Sequence, residues 1–307
     1  MFQKLFTEFD FETLVTWTLN TCAFLAASIN LILMILILTK SPKAIGTYKH
    51  LMIYIAFLEF TYAICYVASK PEIFTRGCAF FILTNLKQSI FPVSVSPWMD
   101  VLNAAVWVYD AHEILASTED SDRFLEEFYL PKKKNGTKME DLYYGGPYYY
   151  VTDKNGNAYI NWKSFEGTLI ILSLITLSFT TMIVFGVKCY KTMTKMIGMS
   201  SVSGKYKTLQ SQLFNALVFQ TIIPVFLMHI PATAIYISIL FSFSSEIYGE
   251  ILTITIAMYP VLNPLPTIFI VKSYREAVMD FLLCRKPKVE VSAIPQVSVF
   301  SQTHLQK

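Results

Sequence analysis

Four histidines and five cysteines are the side chains here best suited to hold a metal or attack a substrate. Their spacing suits neither task. His50, His112, His229 and His304 are scattered, with no His-Glu-x-x-His pair to place two imidazoles on one helical face. Cys22, Cys65, Cys78, Cys189 and Cys284 contain no Cys-x-x-Cys. Glycine-rich phosphate loops, dinucleotide fingerprints and nucleophile elbows are also missing. The sequence therefore offers no catalytic constellation and predicts a non-enzyme without cofactor or metal.

Glu59 is the chemically conspicuous residue. It is the one acid well inside a long apolar run, Leu51–Val67. An ionisable group in such a run is expensive to bury, which marks it as a candidate for ligand contact. Gln220 and His229, in another apolar run, are candidate partners and candidate ligand-binding residues. The alternative for all three is a structural hydrogen bond between helices.

The elements that position these residues follow from composition. The chain has 307 residues, 54% of them hydrophobic and 15% charged, with mean hydropathy +0.46. A water-soluble domain needs more polar surface than that. The apolar residues fall in runs at about 14–39, 51–67, 168–187, 213–241 and 251–271. About 20 helical residues cross a bilayer, so these predict five spans in an all-α, polytopic membrane bundle. Cys78–Thr84 and Val101–Tyr109 are apolar but too short to cross alone. Pro224, Pro231, Pro260 and Pro264 lie inside spans. In water an interior proline costs about 3 kcal/mol, but in a bundle neighbours can re-satisfy the freed carbonyls. They predict kinked helices, acting either as conformational hinges or as packing devices.

Charge sets the expected orientation. Lys40, Lys43 and Lys49 follow the first span, and Lys188, Lys191, Lys195, Lys205 and Lys207 follow the 168–187 span, with no acid among either group. Lys272, Arg275, Arg285, Lys286 and Lys288 follow the last. Glu8, Asp10 and Glu12, and then Glu246 and Glu250, mark the opposite ends. Basic short loops stay cytoplasmic, so the N-terminus is expected outside and the C-terminus inside. The acidic leader and long apolar run argue against a cleaved signal peptide. Residues 68–161 then face outside. They are mixed in charge, rich in Tyr and Gly, and carry the glycosylation sequon Asn135-Gly136-Thr137. The net charge of +3 gives no case for nucleic acid. Tyr274, Val278, Phe281 and Leu282 at helical spacing predict an inner-surface amphipathic helix over about 273–284. It ends at Cys284, a candidate for palmitoylation or a plain thiol. Residues 289–307 read as a disordered cytoplasmic tail.

Four blocks carry a family resemblance: SPKAIGTYKHLMIYIAFLEFTYAICYVASKP, NWKSFEGTLIILSL, SGKYKTLQSQLFNALVFQTIIPVFLMHIPA and YPVLNPLPTIFIVKSYREAV. They resemble, in order, the first inner loop with the second span, the entry to the fifth, the start of the sixth, and the seventh with its tail in nematode serpentine chemoreceptors of class r (Str). The resemblance implies a rhodopsin-like seven-helix receptor in the plasma membrane or sensory cilium. It would bind an odorant or other small-molecule cue and signal through a heterotrimeric G protein. The inner contact surface would be Lys188, Lys191, Lys195, Lys205, Lys207 and Arg275 with the tail helix, unless their charge only sets orientation.

The resemblance also exposes a gap. Two more spans belong between Lys87 and Phe124, where this chain has only SIFPVSVSPWMDVLNAAVWVYDAHEILASTEDSDR. Most of spans three and four, with the family's motif after span three, is missing. The alternative function is therefore a non-signalling truncated membrane protein, or a decoy that pairs with full-length receptors. A transporter or channel is the weaker third class, since no internal repeat is visible.

Overall fold

A computed structural model describes residues 11–42, 45–87, 89, 118–133, 136–153, 156–198 and 203–285. The acids Glu8 and Asp10, Lys43, the Val101–Tyr109 piece, His112, Asn135, Lys286, Lys288 and the 289–307 tail with His304 lie outside the described residues.

Five long apolar segments are helical, as the runs predict. Helix α1 covers Phe11–Lys40 and α2 covers Tyr48–Ser69. Helix α4 covers Trp162–Gly198. The sixth-span region is α5, Gly204–Pro224, then a π-helical turn at Val225–His229, then α6, Ile230–Leu240. The last span is α7, Glu246–Leu262, continued by α8, Leu265–Ile270. Among the described residues five helical segments are long and apolar enough to cross a membrane: Thr13–Lys40, Tyr48–Ser69, Trp162–Thr192, Gly204–Leu240 and Glu246–Ile270. The short amphipathic helix α9, Lys272–Leu282, follows and anchors through fully buried Tyr274. Its hydroxyl meets Ser41 Oγ at 2.7 Å.

Prolines shape this bundle locally. Pro224 ends α5, and the backbone widens there to the π turn. Pro264 lies between α7 and α8, so the last span is two helices meeting at Asn263 and Pro264. Helices α1, α2 and α7 pack mutually. Near the end of the bundle that carries α9, Leu33, Leu36, Ile37, Met52, Ala56, Leu213 and Ile268 close a buried core with Tyr274. Helix α4 is different: only 6% of its apolar window is buried, against 44% for the last span.

The region between α2 and α4 is where the structure departs from a helix-only expectation. Cys78–Thr84 is not a partial span. It belongs to strand β2, Ala79–Asn85, paired antiparallel with β1, Glu72–Arg76, and with β3, Leu142–Gly145. Arg76 pairs with Ala79 across a two-residue turn, whose first position, Gly77, holds φ +57°, as glycine-first hairpin turns require. Strands β4, Tyr150–Thr152, and β5, Ala158–Ile160, form a second hairpin. An acidic helix α3, Glu119–Phe128, has a Thr118/Ser121 capping box and acids in its first turn, a favourable charge placement against the helix dipole. Phe74, Phe81, Leu83, Leu125, Tyr129, Tyr144 and Tyr148 give this cap its own core.

The cap is fastened to the top of α7. Thr75 Oγ1 accepts the Gly249 N–H at 3.2 Å and donates to the Ser245 carbonyl at 2.6 Å. It thus inserts itself into the first turn of the helix. Arg76 Nη1 lies 2.9 Å from Glu246 Oε1, and Lys132 reaches the same carboxylate. Lys133 Nζ and the Tyr129 hydroxyl both meet Glu72 Oε2, at 2.7 and 2.8 Å. A side chain at Gly249 would place its Cβ 2.3 Å from the Ile73 carbonyl oxygen, so the strand and the helix touch backbone to backbone.

Candidate functional site

Pro264 has no N–H, so the carbonyl four residues earlier, that of Pro260, has no helical donor. Asn30 fills that vacancy from α1. Its Nδ2 donates to the Pro260 carbonyl at 2.9 Å and to Ala26 in its own helix at 3.0 Å. Asn30 is fully buried.

Glu59 enters the same turn from α2. It is buried, and Asn263 Nδ2 donates to its Oε1. Gln220 comes from α5 and donates through Nε2 to the Asn263 carbonyl at 3.2 Å. Three helices thus place one polar side chain each on the Pro260–Asn263 turn of the fourth. Asn30 Oδ1 and Asn263 Oδ1 are buried without a hydrogen-bond partner. In lipid, hydrogen bonds between helices help specify packing, and this knot sits where the last span is broken.

Of the candidates read from the sequence, Glu59 and Gln220 therefore converge on Asn263 rather than on each other. His229 stands apart, at the end of the π turn. Its Nδ1 lies 3.1 Å from the Pro224 carbonyl; a carbonyl can only accept, so Nδ1 carries the hydrogen. Its ring is 5.8 Å from that of Phe179 in α4. Asn30 and Asn263 are the residues sequence reasoning passed over. Their signal is an amide inside an apolar run, with Asn263 immediately before a proline. Among the described residues no cluster of three or more His, Cys, Asp or Glu could hold a metal ion.

The space between the cap-side ends of the last spans is filled. Phe80 and Tyr149 of the cap are buried among Ile235, Ile239 and Leu252. The Tyr149 hydroxyl meets Thr168 Oγ1 at 2.6 Å, and Phe80 stacks on Tyr236 with centroids 5.7 Å apart.

Lys188, Lys191 and Lys195 belong to the continuation of α4, and Lys205 and Lys207 to the first turn of α5. They extend the two helices rather than forming a free loop. Arg275 is exposed on α9, with Nη1 3.1 Å from the Phe269 carbonyl. Cys284 is exposed just past that helix.

Comparison with known proteins fits this architecture. Residues 16–109 and 97–279 match the family described as serpentine type 7TM GPCR chemoreceptor Str. The chain is 27% identical over 310 residues to a "G-protein coupled receptor str-217" of Caenorhabditis elegans, covering 86% of this chain and 88% of that protein. It is 24% identical over 309 residues to a "Serpentine receptor class r-10" of Caenorhabditis briggsae, covering 84% and 87%. Against the C. elegans protein of the same name it is 24% identical over 328 residues, covering 92% and 93%. No solved structure is a significant match. The three alignments accommodate only 86%, 84% and 92% of 307 residues in 310, 309 and 328 positions, so roughly 46 to 51 positions in each are filled by the relative alone.

Proposed function

The chain belongs to the serpentine seven-transmembrane chemoreceptor family Str, and on that premise we propose that it binds a small-molecule chemical cue and passes the signal to a heterotrimeric G protein. The observation that carries the reading is the polar knot at Pro260–Asn263. It ties α1, α2 and α5 to a proline break in the last span, which is where a hinge can change the relative position of inner and outer ends. Pro224, with its π turn, is a second such break. Pro231 and Pro260 shape the same two spans. A cue moves this equilibrium only by binding the two arrangements with different affinity.

In this reading the N-terminus is outside, Asn135 carries glycan, and the 188–207 cations with Arg275 face the G protein. Cys284, exposed beside the inner helix, is available for palmitoylation. The test is G-protein activation in cells expressing the full chain, challenged with a broad panel of volatiles. Surface expression with no response to any of them would count against signalling.

A second reading has its own support. The family match breaks into two pieces that overlap at 97–109, in the interval where spans three and four are expected. A chain short of two helices can instead act as a non-signalling partner of full-length relatives. Co-immunoprecipitation with such a relative separates that role from an inert product.

A further inference from the structure

We propose that the β4–β5 hairpin is seated in the bilayer, its open face lying among the phospholipids of the interfacial layer nearest the cap. The inference needs only that α4 crosses the membrane, so it stands whether or not the chain signals.

The register divides the hairpin into two faces. Tyr150 pairs with Ile160, Val151 with Tyr159 and Thr152 with Ala158. Directly opposed residues share a face, and successive residues alternate between faces. Val151 and Tyr159 therefore form one face, and it meets the cap. Val151 is fully buried in the cap core, and the Tyr159 hydroxyl donates to Asp120 Oδ2 of α3 at 2.8 Å. Tyr150, Thr152, Ala158 and Ile160 form the other face. None of the four is charged, and all are exposed.

Contacts with α4 set the level of that open face. The Asn161 N–H donates to the Tyr149 carbonyl at 2.9 Å, and Ser164 Oγ accepts the Tyr148 N–H at 3.1 Å. The Tyr150 ring packs edge-on to Phe165 with centroids 6.2 Å apart, and Phe165 lies 5.9 Å from Trp162. With Tyr149 reaching Thr168, the start of β4 runs beside the first turns of α4. The membrane window of that helix, Trp162–Thr192, begins there. Trp162, Phe165 and Leu169 fall at i, i+3 and i+7, one side of the helix, and Tyr150 packs on that side. Trp162 and Leu169 are 68% and 67% exposed. The open strand face and the bare side of α4 thus make one continuous uncharged surface, and the lipid that surrounds α4 covers both.

Two further features set the depth. Tyr150 and Trp162 join an apolar body to a polar tip, and exposed Lys163 follows them. Membrane–water interfaces collect such residues. The hairpin is also a two-stranded sheet with open edges, and open edges do not enter the hydrocarbon core, where no water satisfies them. Seated in the interfacial layer, the hairpin holds the depth and rotation of α4, which has few protein neighbours, and gives the cap a second fastening besides α7.

The test uses the full chain in phosphatidylcholine nanodiscs. Separate samples contain phosphatidylcholine with a diazirine near the glycerol end of an acyl chain, or at its methyl end, and labelled peptides are mapped by mass spectrometry. The shallow probe is expected to label 150–160 as well as the first turn of α4. The deep probe should label α4 and leave the hairpin unlabelled. Tyr150→Ser combined with Ile160→Ser should abolish shallow labelling of the hairpin and preserve that of 169–187. Should the double variant fail to fold, the contrast between the two probes in the unmodified chain still decides. Shallow labelling that begins only at 162, or equal labelling of the hairpin by both probes, overturns the proposal. Cross-links joining the hairpins of two chains in place of lipid labelling overturn it as well, and assign the face to a second copy.

Discussion

Pro264 removes a hydrogen from the last span, and Asn30 supplies one from the first. That exchange explains how a proline inside an apolar run is tolerated, and it predicts a coupling. Asn30→Ala leaves the Pro260 carbonyl bare and should cost about 1 kcal/mol, near the middle of the range for hydrogen bonds between membrane helices. Pro264→Ala restores the missing N–H, so Asn30→Ala should cost clearly less in that background. Thermal unfolding of the four purified proteins in detergent measures the cycle, and equal costs in both backgrounds would sink the account. Asn263→Leu takes the donor from Glu59 and should cost about 1–3 kcal/mol as a buried acceptor goes unpaired. Glu59→Gln keeps an oxygen for Asn263 and should cost less on the same assay. Glu59 is visible in the sequence because a charge inside an apolar run is rare. Asn30 and Asn263 are less visible: neither amide is charged, and only the fold brings 30, 59, 220 and 263 to one turn.

At the scale of elements, the spans are legible because lipid demands length and apolarity together. Their ends are not. Helix α4 continues to Gly198, well past the last apolar residue of its run, because lysines are good helix formers once outside the apolar layer. The sheet of the cap is hidden for another reason. Strand β2 is buried on both faces over most of its length, so it lacks the alternation that identifies a strand and reads as a short apolar run. Its attachment to α7 is testable. Gly249→Ala forces a Cβ to within 2.3 Å of the Ile73 oxygen and should loosen the cap by about 1–3 kcal/mol, as overpacking does. Faster proteolytic cleavage within 72–160 at unchanged membrane insertion would register it; an unchanged cleavage rate would refute the close approach. Arg76→Ala should do much less, since the Arg76–Glu246 pair is partly exposed and such pairs are worth under about 1 kcal/mol. The cap tyrosines add a pH signature. Burial pushes the Tyr148 hydroxyl up to about 12, and burial followed by the Asp122 hydrogen bond raises Tyr144 as well. Both favour the neutral form in the folded cap. The Tyr148 contribution is complete below the unfolded value of 10 and is lost as pH rises through about 12, and that of Tyr144 is lost in the same direction. Tyrosinate absorbance should therefore lag behind that of free tyrosine and then rise together with cap cleavage. Titration at the free value with the cap intact would contradict the burial.

For the whole molecule, one quantity organises the rest. Relatives fill roughly 46 to 51 aligned positions that this chain leaves empty, and two spans of about 20 residues with a short turn need about that many. A shortfall of one helix pair would preserve parity, so the five spans among the described residues would still keep a consistent inside and outside. The loss should fall on packing instead, and α4 has the least buried of the five windows, at 6%. In lipid an apolar face is not driven to hide, because acyl chains are as apolar as leucine. Helix α4 can therefore insert with few neighbours, at the expense of a fixed position relative to α7. This yields the prediction that tests the architecture as a unit. Grafting the extra segment of the C. elegans str-217 relative between residues 97 and 109 should add two protease-protected spans while leaving the C-terminal tag inaccessible until the membrane is permeabilised. It should also raise the unfolding temperature and reduce lipid-probe labelling on the outer half of α4. If the graft inserts but labelling of α4 and the unfolding temperature do not change, the open side of α4 is not where the absent helices pack, and the five-span bundle is complete in itself.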